Sequence, residues 1–250
     1  MRGLDIFREH FAGADHNYVL IGGAACEIIM QEVELDFRAT KDLDLVLLVE
    51  SLDKGFGEKF WAFVEAGGYQ QRQRGSGDKE FYRFHSPENA EYPTMLELFA
   101  RAPDSLQLAK GATLTPLPID EDIASLSAIL LDEAYYAALK QHNRVVDGVA
   151  VLDERMLIPF KAKAHLDLAA RKEAGDKVDS STIRKHRADV FRLLQLLAAD
   201  ERIELSDTIK DDLRAFGAKV AADGDFKPKD VKLAGTLDEL LDKIAAIYRL

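Results

Sequence analysis

The chain has 250 residues, 47% of them apolar, and a formal net charge of −11. That length can build one large domain or two modest ones around a substantial core, and the acidic balance opposes broad, sequence-independent attraction to nucleic acid. No apolar run approaches the ~20 residues that cross a bilayer, and Met1 to Phe11 mix charge with apolar side chains. The single cysteine, Cys26, can form neither an intramolecular disulfide nor a thiolate cage, so a cytoplasmic protein with no membrane partner is expected.

Tyr18-Val19-Leu20-Ile21 is a short, partly β-branched apolar run. Gly22-Gly23 breaks it before helix-favouring residues resume from Ala24 to Gln31, giving strand, glycine turn, helix. Asp42 to Val49 alternates acidic and apolar residues and then becomes wholly apolar, as in a strand that leaves a solvent cleft for the core. Ser51 or Asp53 is placed to cap a helix in which Phe56, Phe60, Phe63 and Val64 recur at helical spacing until Gly67-Gly68. Strands are expected around 69–73, 80–85 and 94–99. A helix capped by Asp132 should run from Glu133 to Gln141.

From about Asp153 the pattern is helical, with one stripe at Leu157, Phe160, Ala164 and Leu168 and another at Ile183, Val190, Leu194 and Leu197. Ala222 to Gly235 reads as an exposed loop before a terminal helix. The expected class is α/β (α+β): a mixed sheet with flanking helices in residues 1–120 and a mainly helical domain in 121–250. Two basic stretches, Gln70 to Arg74 with Lys79 and Arg83, and Arg184 to Arg187, read as solvated charged faces or as local nucleic-acid contacts.

Asp42 and Asp44 are one residue apart on a strand, so both side chains leave the same face and can act as joint ligands. Mg²⁺ prefers hard oxygen donors and takes one or two carboxylates together with substrate phosphates. A carboxylate pair beside a phosphate cradle is therefore the minimum set for metal-assisted nucleotidyl transfer. Gly22-Gly23, at a strand-to-helix turn, can be that cradle, because glycine admits close approach and the helix start presents free N–H groups. Glu97 is an acidic residue in the otherwise apolar strand Thr94 to Phe99. It reads either as a third carboxylate, ligand or general base, or as an edge-strand glutamate paired with an arginine such as Arg101.

With these residues assembled, the sequence resembles the DNA polymerase β-like nucleotidyltransferase superfamily, and within it the abortive-infection toxin family of type IV toxin–antitoxin systems. The stretches Leu20-Ile21-Gly22-Gly23-Ala24-Ala25 and Arg38-Ala39-Thr40-Lys41-Asp42-Leu43-Asp44-Leu45 look like that family's first motif. The resemblance implies that Gly22 and Gly23, with Thr40 and Lys41, contact nucleotide, and that Asp42, Asp44 and Glu97 bind Mg²⁺ or Mn²⁺. Ile158 to Ala164, and Lys185 to Asp189 in a Lys-x-x-x-Asp pattern, look like the later motif, although the Glu173 to Ser181 segment lengthens the spacing between them. They imply a catalytic lysine at Lys161 or Lys163 and nucleotide contacts from Lys185 and Asp189. The two lysines leave a helix about 200° apart, so only one can face a cleft. The implied substrates are an NTP and an acceptor hydroxyl on RNA, such as a tRNA 3′ end, or on protein, with an antitoxin as partner. A silent nucleotide-binding or partner-binding module, and an enzyme modifying a small molecule such as an antibiotic, share the fold.

Overall fold

The computed structural model describes residues 1–48, 50–51, 54–71, 81–99, 129–130 and 132–250. The chain divides into two compact units, Met1–Ile119 with Asn143–Asp153, and Asp120–His142 with Glu154–Leu250. The expected division at 120 therefore misses an excursion: 143–153 belongs to the first unit.

In the first unit, α1 (Leu4–His10), β1 (Tyr18–Ile21), α2 (Gly22–Glu32), β2 (Asp42–Leu47), α3 (Lys54–Gly67), β3 (Gln70–Gln71), β4 (Phe81–His85) and β5 (Met95–Phe99) precede the excursion, and β6 (Asn143–Val146) and β7 (Val149–Leu152) follow it. The strands form a mixed sheet in the order β3-β4-β5-β2-β1-β7-β6. β1 is an interior strand and wholly buried, in keeping with its uninterrupted apolar sequence. It pairs antiparallel with β2 and parallel with β7.

Side chains alternate across this sheet, so Tyr18, Leu20, Leu45 and Leu47 share one face while Asp42, Asp44 and Val46 share the other. On the first of these faces Tyr18 meets Phe7 of α1, Phe11 at its C-cap and Phe56 of α3, and Phe60 of α3 meets Phe84 of β4. The carboxylates thus stand on the side opposite an aromatic core. The Oγ of Ser51, one of the two expected caps, donates to the carbonyls of His16 and Leu48. Asp53, the other expected cap, lies outside the described residues, as do Arg72, Arg74, Lys79, Arg101 and most of the Ala124 to Leu131 run.

The second unit comprises α4 (Glu133–Gln141), α5 (Glu154–Glu173), α6 (Ser180–Leu193), α7 (Asp207–Asp223) and α8 (Leu237–Tyr248). Asp132 caps α4 as expected, accepting from the N–H groups of Ala134 and Tyr135. α5 is buried over most of its circumference and packs against α6 and α7. Pro159 lies inside it and has no N–H to give the Arg155 carbonyl one turn back; the Tyr248 hydroxyl of α8 donates to that carbonyl at 2.8 Å. The 222–235 segment is mostly exposed, as expected, and is anchored at two buried residues: Phe226, which stacks on Phe191 at 4.5 Å, and Leu233. No helix among the described residues is long and apolar enough to cross a membrane.

Candidate active site

Because β1 and β2 are antiparallel with Ile21 opposite Asp44, the glycine end of one strand adjoins the acidic start of the other. The chain enters α2 at Gly22 with φ +67°, a left-handed conformation that glycine adopts at little cost. A Cβ at Gly22 would stand 1.8 Å from Oδ2 of Asp44, so the carboxylate rests directly against this turn. A Cβ at Gly23 would stand 2.8 Å from Oγ1 of Thr40 and 3.4 Å from Nη2 of Arg38. The 38–41 segment is held there by Glu27 of α2, only 7% exposed, which accepts from the Thr40 N–H at 3.0 Å. The Lys41 side chain is exposed, while its carbonyl accepts from the Thr94 N–H.

On the other side of β2, β5 runs parallel with Asp44 opposite Glu97, and β4 then runs antiparallel with Arg83 opposite Glu97. Residues in register share a face, so Ile21, Asp44, Glu97 and Arg83 form one row across four strands. Glu97 is 6% exposed. Nε and Nη2 of Arg83 both reach its Oε1, at 2.8 and 2.7 Å, and Glu97 also hydrogen-bonds Asp44. Burial, then the Asp44 charge and that hydrogen bond, push the Glu97 carboxyl up to about 9, against the opposing pull of Arg83. The two carboxyls therefore hold a proton between them at neutral pH.

Asp42, half-buried and opposite Met95, shares this face one step along β2. Among the described residues no three acidic, histidine or cysteine side chains form a ready-made metal cage. The donor set nevertheless fits Mg²⁺ or Mn²⁺, which need only one or two carboxylates when waters and phosphates complete the shell. Asp42 and Asp44 are the carboxylates placed to supply such donors, and Glu97 would have to shed its proton to join them.

The second unit holds the remaining candidates. Lys161 is 4% exposed and pairs with Asp189 of α6 at 3.7 Å, and Arg192 reaches the same carboxylate at 3.2 Å. Lys163 turns elsewhere, to Asp167 and to Asp212 of α7, each at 3.2 Å. The later motif thus meets within itself, Lys161 to Asp189, while Lys185 is exposed one turn before Asp189. In the basic stretch 184–187, His186 and Arg187 are buried, so it is not a continuous solvated face. Arg83 and Glu27 are the site residues that sequence reasoning did not assign. Their signals were present: Phe81 to His85 carries one arginine mid-strand, Met95 to Phe99 one glutamate, and opposite lone charges of this kind seek each other across a sheet.

The chain is similar to a protein of nucleotidyltransferase-like description. This is an antigenic nucleotidyltransferase-like protein from Paracoccidioides brasiliensis, known from a crystal structure, at 13% identity and a TM-score of 0.47, with 98% of this chain and 94% of that chain covered. No family model and no curated protein matches the chain.

Proposed function

We propose that the chain is a nucleotidyltransferase that moves NMP from an NTP to an acceptor hydroxyl and releases pyrophosphate. The observation that carries this reading is the Asp44 carboxylate resting on the Gly22 turn with Glu97 alongside it in register. Asp42 and Asp44 are the residues to hold Mg²⁺ or Mn²⁺, which when bound supplies charge neutralisation at the triphosphate. Gly22 and Gly23 bring the backbone of the α2 start to phosphate oxygens. Glu97 exchanges its proton above neutrality and takes the hydrogen of the acceptor hydroxyl. As that oxygen bonds the α-phosphorus, the bond to pyrophosphate breaks. The motif resemblance supports an RNA 3′ end, such as that of tRNA, or a protein hydroxyl as acceptor, and a toxin restrained by an antitoxin.

A second reading, a nucleotide-binding module without transfer, is favoured by the commitment of Glu97 to Arg83 and to a shared proton. Incubation of the protein with each α-³²P NTP, Mg²⁺, cellular RNA and cellular protein separates the two. Label on RNA or protein that vanishes in Asp42→Ala/Asp44→Ala supports transfer. NTP binding without label on any acceptor supports the module, and label that persists in the double variant removes the mechanism.

A further inference from the structure

The segment that leads into β2 passes the Gly22-Gly23 turn with alternate side chains against it. Asp44 stands at Gly22, while Thr40 and Arg38 stand at Gly23, keeping the alternation by which Asp42 and Asp44 share a face. Lys41, of the other parity, is exposed. The buried Glu27 accepts from the Thr40 N–H, and the Lys41 carbonyl accepts from the Thr94 N–H. The backbone that carries Arg38 is thus anchored both to α2 and just ahead of β5.

Arg38 itself is half-buried. Its Nη2 lies 3.4 Å from the place a Gly23 Cβ would take, and its guanidinium carbon lies 5.2 Å from the centre of the Phe37 ring. Stacking engages the flat face of a guanidinium, whereas its N–H donors lie in its plane and form a fork suited to phosphate oxygens. That fork borders the start of α2, where the first backbone N–H groups have no partner within the helix. Charge makes the placement consequential. Asp42, Asp44 and Glu97 make the site acidic, an NTP is itself polyanionic, and a bound metal offsets only part of the charge brought together. Arg83, the arginine in the row with Asp44, has Nε and Nη2 on Glu97. The reacting α-phosphate belongs beside the carboxylates. Arg38 stands past Thr40 at Gly23, on the β1 side of β2, whereas Glu97 flanks β2 from β5.

We propose that Arg38, rather than Lys41, is the residue of the sheet unit that binds the outer phosphates of the NTP. The inference rests on the nucleotide site proposed above, whether that site transfers or only binds. Calorimetric titration of the full chain with each of the four NTPs and its own NMP, in Mg²⁺, tests it. The NTP that binds most tightly should do so at least about tenfold more tightly than its NMP. Arg38→Ala should weaken that NTP about tenfold or more and its NMP less than about twofold, and Lys41→Ala should match the parent. Arg38→Gln, which keeps a polar chain without the charge, should repeat the loss, so a fold disturbed by alanine does not decide the outcome. Unchanged NTP affinity in Arg38→Gln, an equal loss for NTP and NMP, or a larger loss in Lys41→Ala overturns the proposal, as does a parent that binds no NTP more tightly than its NMP. The α-³²P assay separates this role from transfer. NTP binding that depends on Arg38, with no label on any acceptor, removes transfer and keeps Arg38 at the phosphates. Label that vanishes in Asp42→Ala/Asp44→Ala but forms in Arg38→Gln at the parental KM for NTP keeps transfer and overturns the role of Arg38.

Discussion

Of the contacts a Cβ would make at the described glycines, the one between Gly22 and Asp44 is the tightest. An alanine at 22 has to accept φ +67° and a Cβ 1.8 Å from the Asp44 carboxylate. The left-handed backbone alone costs about 1–2 kcal/mol, and the carboxylate must move as well. Gly22→Ala should therefore lower the denaturation midpoint and, if transfer occurs at this site, reduce it by roughly 10²-fold, the scale of a 1 Å displacement of a reacting group. A Gly22→Ala protein that matches the parent in both would show that Asp44 is not held against the turn. Glu97 sets a pH dependence with a definite sign. Its carboxyl rises from 4.5 to about 9 on folding, so the fold favours the protonated form. The stability this contributes is complete below 4.5 and is lost as pH climbs through about 9. Melting temperatures of metal-free protein between pH 5 and pH 9 should fall accordingly. Mg²⁺ competes with the same proton, so its protection should grow with pH. Glu97→Gln should flatten the decline, and an unchanged slope would place the shared proton elsewhere.

At the level of elements, α5 shows how an interior proline is tolerated. Pro159 leaves the Arg155 carbonyl without its helical donor, and Tyr248 supplies one from α8. Tyr248→Phe removes only the hydroxyl and takes its hydrogen bond from a part-buried acceptor, so a loss of about 0.5–1.5 kcal/mol is expected in chemical denaturation; a loss near zero would mean that the carbonyl finds another donor. The two lysines of the same helix should separate just as clearly. Lys161→Met takes one cationic partner from Asp189, which is 0% exposed and keeps Arg192, and should cost about 1.5–3 kcal/mol. Lys163→Met breaks half-exposed pairs and should cost about 1 kcal/mol or less. Local signals explain what could be read in advance. Asp132 beside a helical run, the glycine turn after an apolar strand and Asp42-Leu43-Asp44 are each written within a few residues, and each stands where the sequence puts it. The helical spacing of Lys161 and Lys163 showed that they diverge but not which carboxylate each would find. The Arg83–Glu97 bond joins strands 14 residues apart, and neither strand names its neighbour. The 222–235 loop is exposed as its composition says, but its anchoring at Phe226 was not legible, because the partner, Phe191, is distant in sequence.

At the scale of the whole molecule, the chain leaves the sheet after β5, builds α4 in the helical unit, and returns for β6 and β7 before α5 begins. A composition change marks the start of the helical region, but nothing local marks the return, because Asn143 to Leu152 is a short hairpin whose place is fixed by an edge of β1. That edge is consequential: Tyr18, Val19, Leu20 and Ile21 are each 0% exposed, and β7 lies parallel to them with Leu20 opposite Val151. A fragment ending at residue 120 would present the β1 edge, flanked by fully buried apolar side chains, to solvent, and such an edge pairs with other chains. It also loses the strand beside the one that carries Ile21 to the Gly22 turn. The 1–120 fragment should therefore aggregate or unfold without cooperativity, while the full chain melts cooperatively. An excess of a peptide spanning 143–153 should partly restore its solubility by occupying the β1 edge. A monomeric 1–120 fragment with a dispersed amide spectrum would show instead that the sheet stands without its hairpin, and that the returning strands cover a site-bearing unit they do not help to build.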